Sequence, residues 1–354
     1  MRPAIAQIHL ANLAHNYHLL CNLAGSAQLM AVVKANAYGH GLEHVASCLY
    51  TEGCRLFAVT DAAEGKLLRQ WVGDDAQVML LSGLFDRGDA AWAEQNRLTP
   101  VVTEPNHLAW LKAVGFSASV WLKVDTGMQR LGCLDAPTMV QACEAAEIDL
   151  TGVLSHLACA DEPEHPLNQQ QLQRFQTIHQ TVPKHLKASL LNSAGLIAMP
   201  EQRYDVVRPG LALYGMEPIA AQKIGLKPVM TLAAQVMQVR SVKTGTSISY
   251  GASFVASQDM QVALVALGYG DGLPRELSNC GCALFQGARL PMVGRVCMDY
   301  CLLDCSDSPL QAGDWVEFWG EGLLATEVAD LLNTIPYTLT TGLQSRLHRQ
   351  AIQA

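Results

Sequence analysis

The sequence lacks the features of several protein classes. Only 16% of its 354 residues are charged, no block of Lys or Arg occurs, and the net charge is −8. An acidic chain without a basic patch offers no electrostatic footprint for nucleic acid. No apolar run approaches the ~18–20 residues that cross a bilayer, and no secretory hydrophobic region follows Met1. We therefore expect neither a nucleic-acid partner nor a membrane, and a cytoplasmic location.

The sequence also lacks a recognisable metal site. It contains eleven cysteines, an odd number, and no two of them have the C-x₂-C spacing of zinc knuckles. Without a secretion signal they are expected to be reduced thiols, many of them buried. His40 and His44 have a spacing that can bind metal, but no third ligand is visible, and a surface position is favoured. No metal is expected.

Half of the residues are hydrophobic, which is typical of a globular chain with a large core, and the length fits two domains. The first part alternates short apolar runs with helical spacing, which is typical of a parallel sheet buried on both faces. The candidate strands are 31–34, 57–59, 78–81, 99–102, 120–125, 151–156, 189–193 and 204–208. Eight such units predict a (β/α)₈ TIM barrel over residues 1–226, with an open doubly wound sheet as the alternative.

Residues 227–354 have a different pattern. Short alternating runs separated by glycine turns predict a mostly antiparallel β domain, with one clear helix at 325–332. The candidate strands are 231–242, 246–254, 261–267, 283–285, 290–303 and 314–318.

Polar residues interrupt the barrel pattern where strands end. They are Lys34, Lys123, Asp125, His156, Asn192, Ser193 and Arg208. The carboxyl ends of barrel strands point to one mouth, where active sites are built. A lysine that is partly desolvated there has a lowered pKa and a nucleophilic amine. After the last strand, Gly210 and the next amides can hold a phosphate. An amine together with a phosphate site suits pyridoxal phosphate.

Several segments carry a resemblance to a known family. They are Ala31–Gly41, Trp121–Gly132, Ser155–His156, Asn192–Ser193, Arg208–Gly210, Tyr250–Ala252, Gly268–Gly272 and Gly294–Asp299. In this order they resemble the motifs of alanine racemases, and the resemblance spans essentially the whole chain. Relatives commonly have a tyrosine where Ser345 stands.

The resemblance implies a homodimer that interconverts L-alanine and D-alanine with pyridoxal 5′-phosphate. Lys34 is expected to bind the cofactor covalently and to act as one base, and Tyr250 of the partner subunit is expected to be the opposite base. The other cofactor-binding residues implied are Tyr38, His156, Asn192, Ser193, Arg208, Gly210 and Leu211. Arg130, Met298 and Asp299 are assigned to the substrate, and Lys123 to carbamylation.

Three alternatives stay open at this point. A serine or broad-specificity racemase would share the same machinery, because the side-chain pocket decides discrimination. A barrel-type decarboxylase needs an acidic partner for the pyridine nitrogen, where this chain has Arg208. A pyridoxal-phosphate carrier without catalysis would match only the first domain.

Overall fold

The computed structural model describes residues 2–353. By backbone contacts they divide into two compact units. The barrel unit comprises Leu13–Ala37 and Leu42–Leu226, and the β unit comprises the residues up to Asn12, Tyr38–Gly41 and the residues from Lys227 onward. The division at 226/227 stays a prediction.

The strands, numbered along the chain, are β1 (Ala4–His9), β2 (Gln28–Val32), β3 (Leu56–Val59), β4 (Gln77–Leu80), β5 (Leu98–Val102), β6 (Val120–Lys123), β7 (Leu150–Leu154), β8 (Lys187–Ser189), β9 (Val206–Val207), β10 (Met230–Val242), β11 (Ser247–Ile248), β12 (Phe254–Val255), β13 (Met260–Val265), β14 (Cys282–Phe285), β15 (Ala288–Pro291), β16 (Cys301–Asp304), β17 (Trp315–Trp319) and β18 (His348–Ile352). The helical segments are α1 (Leu10–Ala24), α2 (Lys34–Tyr38), α3 (Leu42–Thr51), α4 (Ala62–Leu68), α5 (Arg87–Gln95), α6 (Pro105–Ala113), α7 (Ala136–Ala145), α8 (Pro166–Thr181), α9 (Ser193–Ala198), α10 (Ala325–Leu331) and α11 (Pro336–Thr341). Single 3₁₀ turns lie at Pro200–Gln202, Leu211–Tyr214, Tyr250–Ala252, Tyr269–Asp271 and Arg275–Leu277.

The barrel unit contains one sheet of eight parallel strands. Its order is β8-β7-β6-β5-β4-β3-β2-β9. The two terminal strands also meet, since the amide of Asp205 donates to the carbonyl of Ala188 (3.1 Å) and that of Arg208 to Leu191 (2.9 Å). The predicted TIM barrel is therefore confirmed against the open sheet.

The β unit is built around the 13-residue strand β10. This strand pairs antiparallel with β1, β13 and β17, and β13 continues to β16. The pairing of β1 with β18 is parallel, whereas the remaining pairs are antiparallel. The predicted mostly antiparallel domain is confirmed, and it includes β1 from the start of the chain.

Some predicted elements differ from the structure. The predicted strand 189–193 stops at Ser189, because Asn192 caps helix α9 through a bond from the amide of Gly195 (2.9 Å). The run 290–303 is broken between β15 and β16, and a 3₁₀ turn interrupts 246–254. Helix α11 was not predicted, because three threonines disguise it, although Pro336 stands at its first turn.

Two absences hold across the described chain. Over residues 2–353, no helix has both the length and the apolar character to span a membrane. Within the same range, no three His, Cys, Asp or Glu side chains form a group that could hold a metal ion.

The surface position predicted for His40 is wrong. This residue is fully buried, with its Nδ1 3.0 Å from the carbonyl oxygen of Tyr38.

Trp121 and Gly152 show how tightly the barrel interior is packed. They are register partners on β6 and β7, and Trp121 is fully buried. A Cβ atom added at Gly152 would lie 2.5 Å from the indole ring. The glycine thus makes room for the largest side chain of the sheet.

We expect Gly152→Ala to destabilise the protein by about 1–3 kcal/mol, because overpacking forces the ring or the backbone to move. Denaturant unfolding measures this change. The control is Gly88→Ala, an exposed position in the first turn of helix α5, where the new Cβ would meet only the carboxylate of the cap residue Asp86, at 3.0 Å. Helix propensity favours that change. Equal stability of Gly152→Ala and wild type would contradict the packing argument.

Candidate active site

Charged and titratable side chains lie at the ends of several strands of the barrel unit. Lys34 follows β2, Lys123 ends β6, His156 follows β7 and Arg208 follows β9. Because the strands are parallel, these residues lie at the same end of the barrel. We refer to Lys34, Lys123, Arg130 and Arg208 as the rim cations.

Lys34 opens an unusual turn. The four residues Ala35–Tyr38 have φ angles of 52–54° and are left-handed, although none is glycine. The amide of Ala37 donates to Val33 (2.9 Å), and the side chain of Asn36 accepts from the amide of Leu42 (2.8 Å). A left-handed conformation costs an L-residue roughly 1–2 kcal/mol, so the turn holds strain beside the lysine.

The environment of Lys34 favours its neutral amine. The side chain is half-buried, and burial lowers its pKa, as does the charge of Arg130, while Glu64 acts in the opposite direction. The amine is therefore more nucleophilic at neutral pH than that of a surface lysine.

Lys123 is more strongly affected. Burial lowers its pKa to about 7, with further lowering by the charges of Arg208, Arg130 and Lys34. Its Nζ donates to the carbonyl of Leu81 (2.8 Å). A large share of this amine is therefore uncharged near neutral pH.

Arg208 is a buried and fixed cation. Its guanidinium donates to the hydroxyl of Ser189 and to the carbonyls of Ser155 and Leu190, the last at 3.3 Å. Burial lowers its pKa to about 10, so it stays charged at neutral pH. Burial and the charge of Arg208 lower the pKa of His156 well below its usual value, which keeps that imidazole neutral.

The loop after β6 positions Arg130. The carboxylate of Asp125 accepts from the amides of Gly127 (2.7 Å), Gln129 (3.2 Å) and Arg130 (2.9 Å). This bonding fixes the backbone of the loop while the Arg130 side chain remains exposed.

Beyond strands β8 and β9, a hydroxyl group and several backbone amides lie close together. The hydroxyl oxygen of Ser193 accepts from the amides of Gly210 (2.9 Å) and Ala212 (3.2 Å), and all three residues are buried. Leu211, also buried, stands between these amides. A hydroxyl and converging amides are the groups that bind a phosphate, so this part of the chain fits a phosphorylated cofactor.

The β unit contains the remaining predicted residues. Tyr250 is 71% exposed at a 3₁₀ turn whose preceding residue, Ser249, donates to the carbonyl of Arg295 (2.7 Å). Tyr38 packs its ring against that of Tyr337, with the centroids 5.5 Å apart.

Met298 and Asp299 are bound by an ion network that is centred on the buried Asp271. The carbonyl of Met298 accepts from the amide of Gly270 (2.8 Å) and from Arg346 (3.1 Å). Arg346 also pairs with Asp299 (2.9 Å) and with the fully buried Asp271 (2.8 Å). Arg2 is the second partner of Asp271, at 2.7 Å. The bonds from Gly270 and Arg346 thus hold the backbone of this loop, whereas the Met298 side chain is exposed.

Family models match both parts of the chain. The alanine racemase N-terminal domain matches residues 8–218, and the alanine racemase C-terminal domain matches residues 229–351. The chain belongs to the alanine racemase family. The match therefore includes the segments that carry Lys34 and Tyr250.

Individual members of the alanine racemase family are similar over their full length. A catabolic alanine racemase of Mesorhizobium japonicum is 38% identical, covering 99% of this chain and 93% of the relative. The crystal structure of the biosynthetic alanine racemase from Pseudomonas aeruginosa aligns with a TM-score of 0.91 and 38% identity, covering all of both chains. That of alanine racemase from Bartonella henselae with covalently bound pyridoxal phosphate has a TM-score of 0.92 and 32% identity, covering 99% of each.

Sequence reasoning missed the residues that hold the site of this alanine racemase family member in place. Ser189 is the last residue of β8, and nothing in the sequence pattern connects it with Arg208. Glu64 binds the amides of Ala35 (2.6 Å) and Thr60 (2.8 Å). The one sequence signal for a role of Glu64 is the Asp61-x-x-Glu64 spacing, which predicts a capping box and not a bond to the amide of Ala35.

Proposed function

We propose that this chain is a pyridoxal-phosphate-dependent racemase that interconverts L-alanine and D-alanine. One observation carries the proposal: the desolvated amine of Lys34 shares one barrel end with a buried permanent cation, Arg208, and with the donors around Ser193. The full-length family match agrees with it.

The residues present fit the cofactor. Ser193 and the amides of Gly210 and Leu211 would hold its phosphate, with the Tyr38 hydroxyl as a further partner. Asn192 caps the helix that presents Ser193, and His156 lines the pocket as a neutral ring. When bound, pyridoxal phosphate supplies an electron sink that weakens the bond between the substrate Cα and its proton.

Racemisation needs a base on each face of the substrate Cα. Lys34 would hold or release a proton at Nζ on one face, which its lowered pKa assists. Tyr250 of the partner subunit would do so at its hydroxyl on the other face. The large exposure of Tyr250 in a single chain agrees with a homodimer in which a second copy covers it.

Arg208 favours racemisation over decarboxylation. Its guanidinium stays protonated, so it would donate to the pyridine nitrogen and leave that nitrogen without a proton. A decarboxylase of this type needs an acidic group there. Weaker electron withdrawal suppresses reactions that require a long-lived carbanion.

The substrate carboxylate would be bound by Arg130 and by the backbone at Met298, with Asp299 beside it. Asp125 fixes the loop of Arg130, and Arg346 with Gly270 fixes the carbonyl of Met298. The backbone that carries each binding group is thus ordered before substrate arrives, which reduces the cost of ordering it on binding.

The cysteines support a cytoplasmic location. All eleven are free, among them the buried Cys54 and Cys301. Free thiols in this number are typical of a reducing compartment.

Lys123 is proposed to be carbamylated. Carbon dioxide adds only to a neutral amine, and the pKa of about 7 provides one. The Nζ lone pair attacks the carbon of CO₂ and an N–C bond forms while one C=O π bond breaks, its electron pair moving onto oxygen, and one N–H proton leaves to water. The resulting anion lies among Arg208, Arg130 and Lys34, whose charges stabilise it.

Lys34→Ala should abolish racemisation and the visible absorbance of bound cofactor, because both the covalent link and one base are lost. A chiral assay with L-alanine and an absorbance spectrum measure these effects. Lys112→Ala on the exposed face of helix α6 is the control. Activity with cofactor absorbance in Lys34→Ala would refute the assignment, and CO₂ release by wild type would indicate a decarboxylase.

Tyr250→Phe should reduce kcat by about 10²–10⁴-fold in both directions while cofactor absorbance is kept, since only the proton-carrying hydroxyl is removed. Racemisation kinetics with L-alanine and D-alanine measure the loss. Tyr50→Phe, which removes a surface hydroxyl bound to Asp75, should leave the rates unchanged. Near-normal turnover of Tyr250→Phe would argue against two bases.

Carbamylation of Lys123 should appear as a carbamate carbon signal in NMR spectra of enzyme equilibrated with ¹³C-bicarbonate. The signal should fade as the pH drops below about 7, because protonation of the amine prevents addition of CO₂. It should be missing in Lys123→Gln. Lys243, whose pKa Asp259 raises, is an internal control that should stay unmodified. A spectrum without the signal at pH 8 would disprove the modification.

A further inference from the structure

Glu64 lies in the first turn of helix α4, which follows β3, and β3 is the sheet neighbour of the strand that leads into the left-handed turn Ala35–Tyr38, here called the lysine turn. Its amide is capped by the carboxylate of Asp61 (3.0 Å), which fixes the first turn of the helix. In a capping box the third residue would accept from the amide of the cap itself. Glu64 instead reaches further, with Oε1 2.6 Å from the amide of Ala35 and Oε2 2.8 Å from the amide of Thr60.

These two bonds join the lysine turn to the neighbouring strand. Thr60 directly follows β3, and Ala35 is the residue after Lys34. One carboxylate thereby ties the carboxyl end of β3 to the first left-handed residue of the turn. Both bonds are charge-assisted, which makes them stronger than bonds between neutral groups.

The turn needs such an anchor because its conformation is strained. Four consecutive non-glycine residues are left-handed, which persists only where surrounding contacts impose it. Other bonds act later in the turn, among them those of the Ala37 amide, the Asn36 side chain and the Tyr38 carbonyl. Glu64 acts at its first residue, where the direction of the Lys34 side chain is set.

Charge adds a second effect. Arg130 lowers the pKa of Lys34, and Glu64 raises it. Lys123 and His156 also face Lys34, since its charge lowers the pKa of both. Glu64 is thus the carboxylate that offsets the cationic groups around the amine.

We propose that Glu64 is a positioning residue for Lys34: its carboxylate, bound to the amides of Ala35 and Thr60, clamps the left-handed turn and presents the amine toward the cofactor. This inference rests on the proposed role of Lys34 as the cofactor lysine. Glu64 itself need not touch substrate or cofactor.

The test compares holoenzymes of wild type, Glu64→Gln and Glu64→Asp. The glutamine has one acceptor oxygen and no charge, and the aspartate keeps the charge but is too short to reach both amides. Glu104→Gln is the matched control, because Glu104 is a glutamate at the start of another barrel helix, α6, and forms no side-chain cap bond.

The first readout is amide hydrogen exchange at Ala35 and Thr60. Both variants should exchange at least one of these amides about tenfold faster or more, while strand amides in β5 and β6 keep their rates. This measurement does not depend on what Lys34 does. Unchanged exchange at both amides would overturn the clamp.

The second readout is the pH titration of the visible band of the bound cofactor, recorded with the kinetics. In Glu64→Gln the midpoint should shift to lower pH, because loss of an anion disfavours the protonated nitrogen. In Glu64→Asp the midpoint should move less, while kcat falls about 10- to 100-fold with little change in KM. Faster exchange with an unchanged midpoint and unchanged kcat would show a merely structural role and refute the proposal.

A failure of the proposed function is recognised separately. If Lys34→Ala retains racemisation, Lys34 is not the catalytic lysine, whatever the exchange rates at Ala35 and Thr60 show. If Glu64→Gln does not fold, Glu64→Asp provides both readouts alone.

Discussion

Crowding of positive charge at one end of a barrel is the constraint on which the site depends. The chain as a whole carries a net charge of −8, yet the rim cations share one small and partly buried region. Burial lowers the pKa of both lysines, the charge of Arg130 lowers both further, and Arg208 and Lys34 also lower that of Lys123. The protein therefore keeps two lysines ready to lose a proton and leaves an environment that attracts anions, among them a phosphate, a substrate carboxylate and a carbamate.

The carboxylates near this region do not neutralise it directly. Among the ion pairs of residues 2–353, none involves a rim cation. Asp125 and Glu64 bind backbone amides next to Arg130 and Lys34, where they fix the chain without covering the charged group. Backbone anchoring of this kind holds a cation in place and leaves its charge for a ligand.

Much of the architecture could be predicted, because strands buried on both faces read as continuous apolar runs. All eight barrel strands lie within a few residues of their predicted positions. The boundary errors have local causes: β2 ends at Val32 because the lysine turn starts there, and β8 ends at Ser189 because Asn192 caps a helix. Propensity could not show the left-handed turn, since Asn36 alone among its four residues has any preference for that conformation.

The residues that support the site could not be predicted from the sequence, for a different reason. Lys34 and Arg208 are conspicuous because a charge at the end of an apolar strand breaks the pattern. Ser189 and Glu64 do not interrupt any sequence pattern. One is a small residue in a strand, and the other is an ordinary glutamate in the first turn of a helix. Their contribution comes from which backbone or guanidinium group the closed sheet brings within hydrogen-bonding distance. Such contacts are long-range by nature, so a site can be recognised from its charged residues before the groups that hold them can be named.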